Sequence, residues 1–178
     1  MNKKLSIILT SILILSTYGI YKYKTYNPNI KQVASVINKT YNTTVELEKS
    51  NLNNEDFFKT LLNTYKNELN DFEMLANNSE DLKLKTILYD YSEGIQGKID
   101  AYRIYKDIDL VENTSDKGEK MNQFEKLLED SNKIILSNIK KLKNNYNIKI
   151  SKDYYNSLEQ FLEGKAEIAA LIGDNYQD

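Results

Sequence analysis

The sequence predicts an all-α fold: an antiparallel bundle of four to five helices following an N-terminal transmembrane helix. Three observations carry this reading. Apolar residues recur every three or four positions through five successive segments, with no strand-like alternation anywhere. One proline and six glycines in 178 residues leave few obligatory breaks, which favours long helices packed side by side as in a coiled coil. A charge-free, largely apolar run, Leu5 to Tyr21, follows Lys3 and Lys4 at the start of the chain.

That run is the first element. Its 17 residues, at about 1.5 Å each, reach about 26 Å, enough to cross a thin bilayer. Tyr18, Tyr21, Tyr23 and Tyr26 crowd its far end, where amphipathic rings suit the headgroup layer. Thr17 and Gly19 make a poor cleavage site and there is no cysteine to carry lipid, so the segment is expected to stay attached. Residues 1–26 are therefore assigned as a membrane anchor, or uncleaved signal, with its juxtamembrane segment, and 27–178 as the bundle domain. Lys3 and Lys4 favour a cytoplasmic N-terminus, while Lys22, Lys24, Lys31 and Lys39 pull the other way. The layout of an export signal decides for a single-pass chain with the bundle outside the cytoplasm.

Asn27-Pro28 reads as a helix start, with proline at the first helical position. The first stripe is Ile30, Val33, Ile37, Tyr41 and Val45. After the polar cluster Asn51 to Asn54, a second runs through Phe58, Leu61, Leu62, Tyr65, Leu69, Phe72 and Ala76. Asn77-Asn78-Ser79 interrupts, and Glu80-Asp81 opens a third through Leu84, Leu88, Tyr91, Ile95, Ile99, Tyr102 and Tyr105. Gly94 and Gly97 inside it are expected to weaken the helix mildly rather than mark a close crossing. A turn-rich stretch, Asp107 to Gly118, leads to a fourth stripe from Met121 to Tyr146. Ser151 caps a fifth helix, whose inward residues run from Tyr155 through Leu158 and Leu162 to Ile172, with Gly173 as its stop.

Chemistry is bounded mainly by exclusion. Cysteine, histidine and tryptophan are absent, which removes disulfides, thiol catalysis, imidazole acid–base work and every Cys- or His-ligated metal site. No phosphate loop or nucleophile elbow is present. Asn113 to Gly118 falls short of a calcium loop, with Lys117 and Phe124 where ligand oxygens belong. No stripe holds an acid at an inward position; the polar intruders are Lys98, Ser131 and Asn138. The inward tyrosines are read as core residues. No catalytic, cofactor-binding or metal-binding residue is assigned, no cofactor is expected, and an enzyme is disfavoured. All 26 acidic residues lie beyond residue 45, against 18 basic ones there, a net of −8 that argues against nucleic acid.

What remains is charge layout. In an up-down bundle, Lys140, Lys141 and Lys143 return to the bilayer beside Lys22 and Lys24, forming a membrane-proximal basic set. Asp107, Asp109, Glu112, Asp116 and Glu119 gather at the distal end as a possible acidic surface. The expected role is non-catalytic binding at the cell envelope. Lipid holds the N-terminal helix, and the bundle surface meets a protein partner. The alternative is a small-ligand or cation-binding bundle, and behind it a carboxylate-based hydrolase.

Overall fold

The computed structural model describes residues 28–108 and 113–164. They form five helices and, among the described residues, no strand: α1 (Pro28–Glu48), α2 (Asn54–Asn77), α3 (Leu82–Lys106), α4 (Thr114–Tyr146) and α5 (Lys152–Leu162). The apolar run Leu5–Tyr21, Lys22 and Lys24, the acids Asp109 and Glu112, and the continuation of α5 to Ile172 lie outside the described residues. No described helix is long and apolar enough to cross a membrane.

Local chemistry explains where each helix begins and ends. Asn53 accepts from the Asp56 amide at 2.9 Å, and Glu55 and Asp56 sit favourably in the first turn of α2. Asp81 accepts from the amides of Lys83 and Leu84 to start α3, and its second oxygen accepts from the Tyr146 hydroxyl at 2.8 Å. One carboxylate thus caps α3 and pins the last turn of α4 to it. Asn113 caps α4. Asn147 closes it in the left-handed conformation, φ 51°, which asparagine tolerates better than most side chains.

The helices run up and down. Asp81 meets Tyr146, and Lys83 meets Asn145, so the α2–α3 turn and the end of α4 share one end of the bundle with the start of α1. Phe58 against Tyr105, and Tyr105 against Phe124, mark the other end, where α1 turns into α2 and α3 leads to α4. The core is continuous from Ile30 and Val33 on α1, through Leu61, Phe72, Leu84, Leu88, Ile95, Ile135, Ile139 and Leu142, to Leu158 on α5. Asn38 of α1 ties down the link to α5: its side chain accepts from the Ser151 amide at 2.7 Å and donates to the Lys149 carbonyl.

The two glycines of α3 do the opposite of what the sequence suggests. A Cβ on Gly94 would lie 2.7 Å from Ile135 Cγ1 and 3.1 Å from the Ser131 carbonyl oxygen. A Cβ on Gly97 would overlap the Ser131 hydroxyl. Together they bring α3 and α4 into a close crossing that any larger residue would force apart.

Candidate functional site

Midway along the bundle a polar cluster is enclosed among apolar residues. On α2, Tyr65, Glu68 and Phe72 project from one face at spacings of three and four, and Glu68 is only 4% exposed. From α3 come Tyr91, Lys98 and Tyr102, with Lys98 7% exposed. Tyr154 enters from α5, and Tyr41 of α1 lies against it, ring centroids 5.2 Å apart.

The contacts form a relay. The Tyr91 hydroxyl donates to Glu68 Oε1 at 3.4 Å, and the hydroxyls of Tyr91 and Tyr154 are 3.4 Å apart. Tyr91 stacks on Phe72 at 4.2 Å and Tyr65 stacks on Tyr102 at 5.8 Å, so the rings fill space against one another. The Lys98 ammonium lies 5.5 Å from the centre of the Tyr65 ring, within cation–π range. Among the described residues no direct ion pair joins Glu68 and Lys98; their attraction acts across a gap.

Burial dominates the electrostatics. It pushes the Glu68 carboxyl up towards its neutral form, opposed by Lys98 and by the Tyr91 hydrogen bond. It pushes the Lys98 ammonium down, opposed by Glu68. Desolvation also raises the phenols: Tyr65, Tyr91 and Tyr154 well up, Tyr102 to about 12 with help from Glu48. The core therefore holds a carboxyl and an amine, both biased towards losing their charge, inside a ring of hydroxyls that stay protonated. Such a cluster can hold a proton and orient hydroxyls. Metal binding is another matter, since no group of three acidic ligands occurs among the described residues. No protein-family model, curated protein or solved structure matches this chain. Its function has to be argued from its own geometry.

That geometry corrects the sequence reading at one point: an acid does occupy an inward position. Lys98, Ser131 and Asn138 were legible as polar intruders and are buried at 7%, 3% and 2%. Glu68 was not, because its neighbour Leu69 claimed the stripe by identity; Leu69 is only half-buried beside it.

Lys140, Lys141 and Lys143, the described part of the basic set, lie at and above the end where α1 begins, but they have internal partners. Lys140 pairs with Glu159 at 3.2 Å, Lys141 with Asp90 at 3.1 Å, and Lys143 lies 3.9 Å over the Tyr155 ring. At the opposite end, Asp107 terminates α3 and Asp116 sits in the first turn of α4, where the helix dipole favours it. Glu119 accepts from Gln123. Lys49, Lys59, Arg103, Lys106, Lys117 and Lys120 share that end, so its acids are interleaved with bases.

Proposed function

We propose that the chain is a membrane-anchored helical module with a non-catalytic binding role at the cell envelope. In this reading the Leu5–Tyr21 segment holds it to lipid, and the bundle stands on the headgroups outside the cytoplasm. One observation carries the proposal. The end of the bundle where the chain enters α1 also carries Leu82, 78% exposed, and Met74, 56% exposed. An apolar side chain so open at a helix start has no role in the core, whereas at a lipid surface it is buried. Exposed Lys83, Lys149 and Lys152 stand at the same end. A lysine near an anionic headgroup contributes about 1 kcal/mol, screened beyond a Debye length. The tyrosines stack on aromatic neighbours, which supports a core role for them over a ligand pocket. Glu68 is the only buried acid among the described residues, which gives little support to a two-carboxylate hydrolase.

The experiment is vesicle co-flotation. The full chain should float with vesicles of any charge. The chain lacking residues 1–26 should bind anionic vesicles more tightly than neutral ones, and Leu82→Asp or Lys149→Gln with Lys152→Gln should weaken that binding. Lys140→Gln, Lys141→Gln and Lys143→Gln should change it little, because those ammonium groups already have partners. A full chain that stays in the soluble fraction, or an anchorless one indifferent to lipid charge and to Leu82, would overturn the reading.

A further inference from the structure

We propose that α5 is a latch on the bundle, and that the ionisation of buried Glu68, transmitted through Tyr91 and Tyr154, decides whether it is seated. The inference is independent of the membrane role.

An ionised Glu68 would find few partners. A carboxylate has about four acceptor positions. This one has the Tyr91 hydroxyl at 3.4 Å and, among the described residues, no ion pair. The groups around it come from every neighbouring helix. On α2 they are Tyr65 and Asp71; on α3, Tyr91, Tyr102 and Lys98; on α5, Tyr154. Glu48 and Tyr41 of α1 act on the tyrosines. Apart from Lys98 these groups are neutral or negative, and Lys98 lies across a gap. A protonated Glu68 is content in this setting, while an ionised one requires water.

Where the water enters depends on which wall gives way. The α2–α3 wall is closed by the Phe72–Tyr91 stack, and the α3–α4 wall by the glycine crossing. The α5 wall is the weak one. Among the described residues it is the shortest helix, 11 residues, and Leu158 is its only buried side chain. Tyr154, Tyr155, Phe161 and Leu162 pack on the core only part-buried, and the remaining ties are polar: Glu159 to Lys140, Tyr155 to Lys143, and the Ser151 amide to Asn38. Exposed pairs of this kind hold weakly. Tyr154 reaches Tyr91 from this side, so lifting α5 separates the two hydroxyls and opens to solvent the relay that ends on Glu68. Lys98 lies over the Tyr65 ring on α2.

The test is amide hydrogen exchange on the full chain in a neutral detergent, at about pH 6 and about pH 9, either side of neutrality, with intrinsic exchange rates divided out. Unequal proton binding can change an opening equilibrium by up to about tenfold per pH unit. Protection of Tyr155–Leu162 in α5 should therefore fall at least about tenfold across this range, while Leu88–Ile99 in α3, which exchanges through global opening, stays better protected than α5 at both pH values. Glu68→Gln should abolish the pH response of α5. Should Glu68→Gln fail to fold, Tyr154→Phe serves instead: it cuts the relay without touching the charges and should lower α5 protection already at the lower pH, with α3 unchanged. The proposal is overturned if α5 shows no pH response, if α5 is as well protected as α3 at both pH values, if Glu68→Gln leaves the response intact, or if Tyr154→Phe leaves α5 as protected as before.

Discussion

Gly97→Ala tests the α3–α4 crossing with a result that additivity cannot mimic. In an ordinary helix the change would stabilise, because alanine is better than glycine by about 0.8–1 kcal/mol. Here the new methyl would overlap the Ser131 hydroxyl, which is itself held by a hydrogen bond to the Leu127 carbonyl in its own helix. Forcing an extra methyl into a packed interface costs about 1–3 kcal/mol, so the net effect should be a loss of up to about 2 kcal/mol. Ser131→Ala removes the obstructing oxygen. What then remains is the Ser131 Cβ, 3.3 Å from the new methyl, a contact that small shifts relieve. The double variant should therefore recover most of the loss and regain part of the helix-propensity benefit, giving a coupling of about 1–2 kcal/mol. Gly94→Ala behaves differently. Its obstacles are Ile135 Cγ1 at 2.7 Å and the Ser131 main-chain oxygen at 3.1 Å, so Ser131→Ala should not rescue it. The assay is urea unfolding followed by far-ultraviolet circular dichroism on the chain lacking residues 1–26, a deletion that removes no described core residue. Additive effects at 97 and 131, or equal rescue at 94 and 97, would refute the close-crossing argument.

Three further outcomes follow from the same coordinates. Glu68 holds its proton above the ordinary 4.5 in the folded chain and Lys98 releases its own below the ordinary 10.5. Stability should thus fall as pH climbs above about 4.5, by up to about 1.4 kcal/mol per unit, and recover as pH approaches 10.5. Glu68→Gln should erase the falling limb alone, and a flat wild-type profile by denaturant titration would contradict this. Leu88→Ala, Leu128→Ala and Leu158→Ala, at positions 0%, 5% and 3% exposed, should each cost about 2–5 kcal/mol, with Leu158 at the low end because α5 is peripheral. Costs below about half a kcal/mol at all three would mean the helix faces are misplaced. Asp81→Ala should cost about 1–2 kcal/mol for the lost cap of α3, and less in a Tyr146→Phe background, where the bond to α4 is already gone; identical costs in the two backgrounds would separate the cap from the tie.

Periodicity made the helices legible because a half-buried helix writes its buried face into the sequence every three or four residues. The breaks were legible in part: Asp81 and Ser151 read as helix starts and cap them, while Asn53 caps from within a polar cluster and Asn113 starts α4 at Thr114, inside the stretch Asp107–Gly118 that reads as a turn. The site was harder. Lys98 stands on the α3 stripe and was visible, and a buried lysine invites a search for its counter-charge. Position 68 lies seven after Leu61, three after Tyr65 and four before Phe72, the line of greatest burial on α2. Reading by hydrophobicity rather than by geometry moved that line to Leu69. The glycine crossing was hidden for a related reason, since a missing side chain leaves no periodic mark and its meaning resides in Ser131 and Ile135 on another helix. For Lys140, Lys141 and Lys143 the clustering of charge was plain, but their partners Glu159, Asp90 and Tyr155 are distant in sequence or on another helix.

The length of α4 bears on how the two ends of the molecule communicate. Its 33 residues continue past the end of α3, so that Asp116, Gly118 and Glu119 in its opening turns stand exposed. The rod comes closest to α3 where Ser131 and Ile135 meet the α3 glycines, about 26–32 Å from its first residue and about 17–23 Å from its last. Burial from Phe124 to Tyr146 and the Asp81 tie hold the rod along most of its length, so a displacement at either end is shared along the whole α3–α4 seam instead of pivoting about one point.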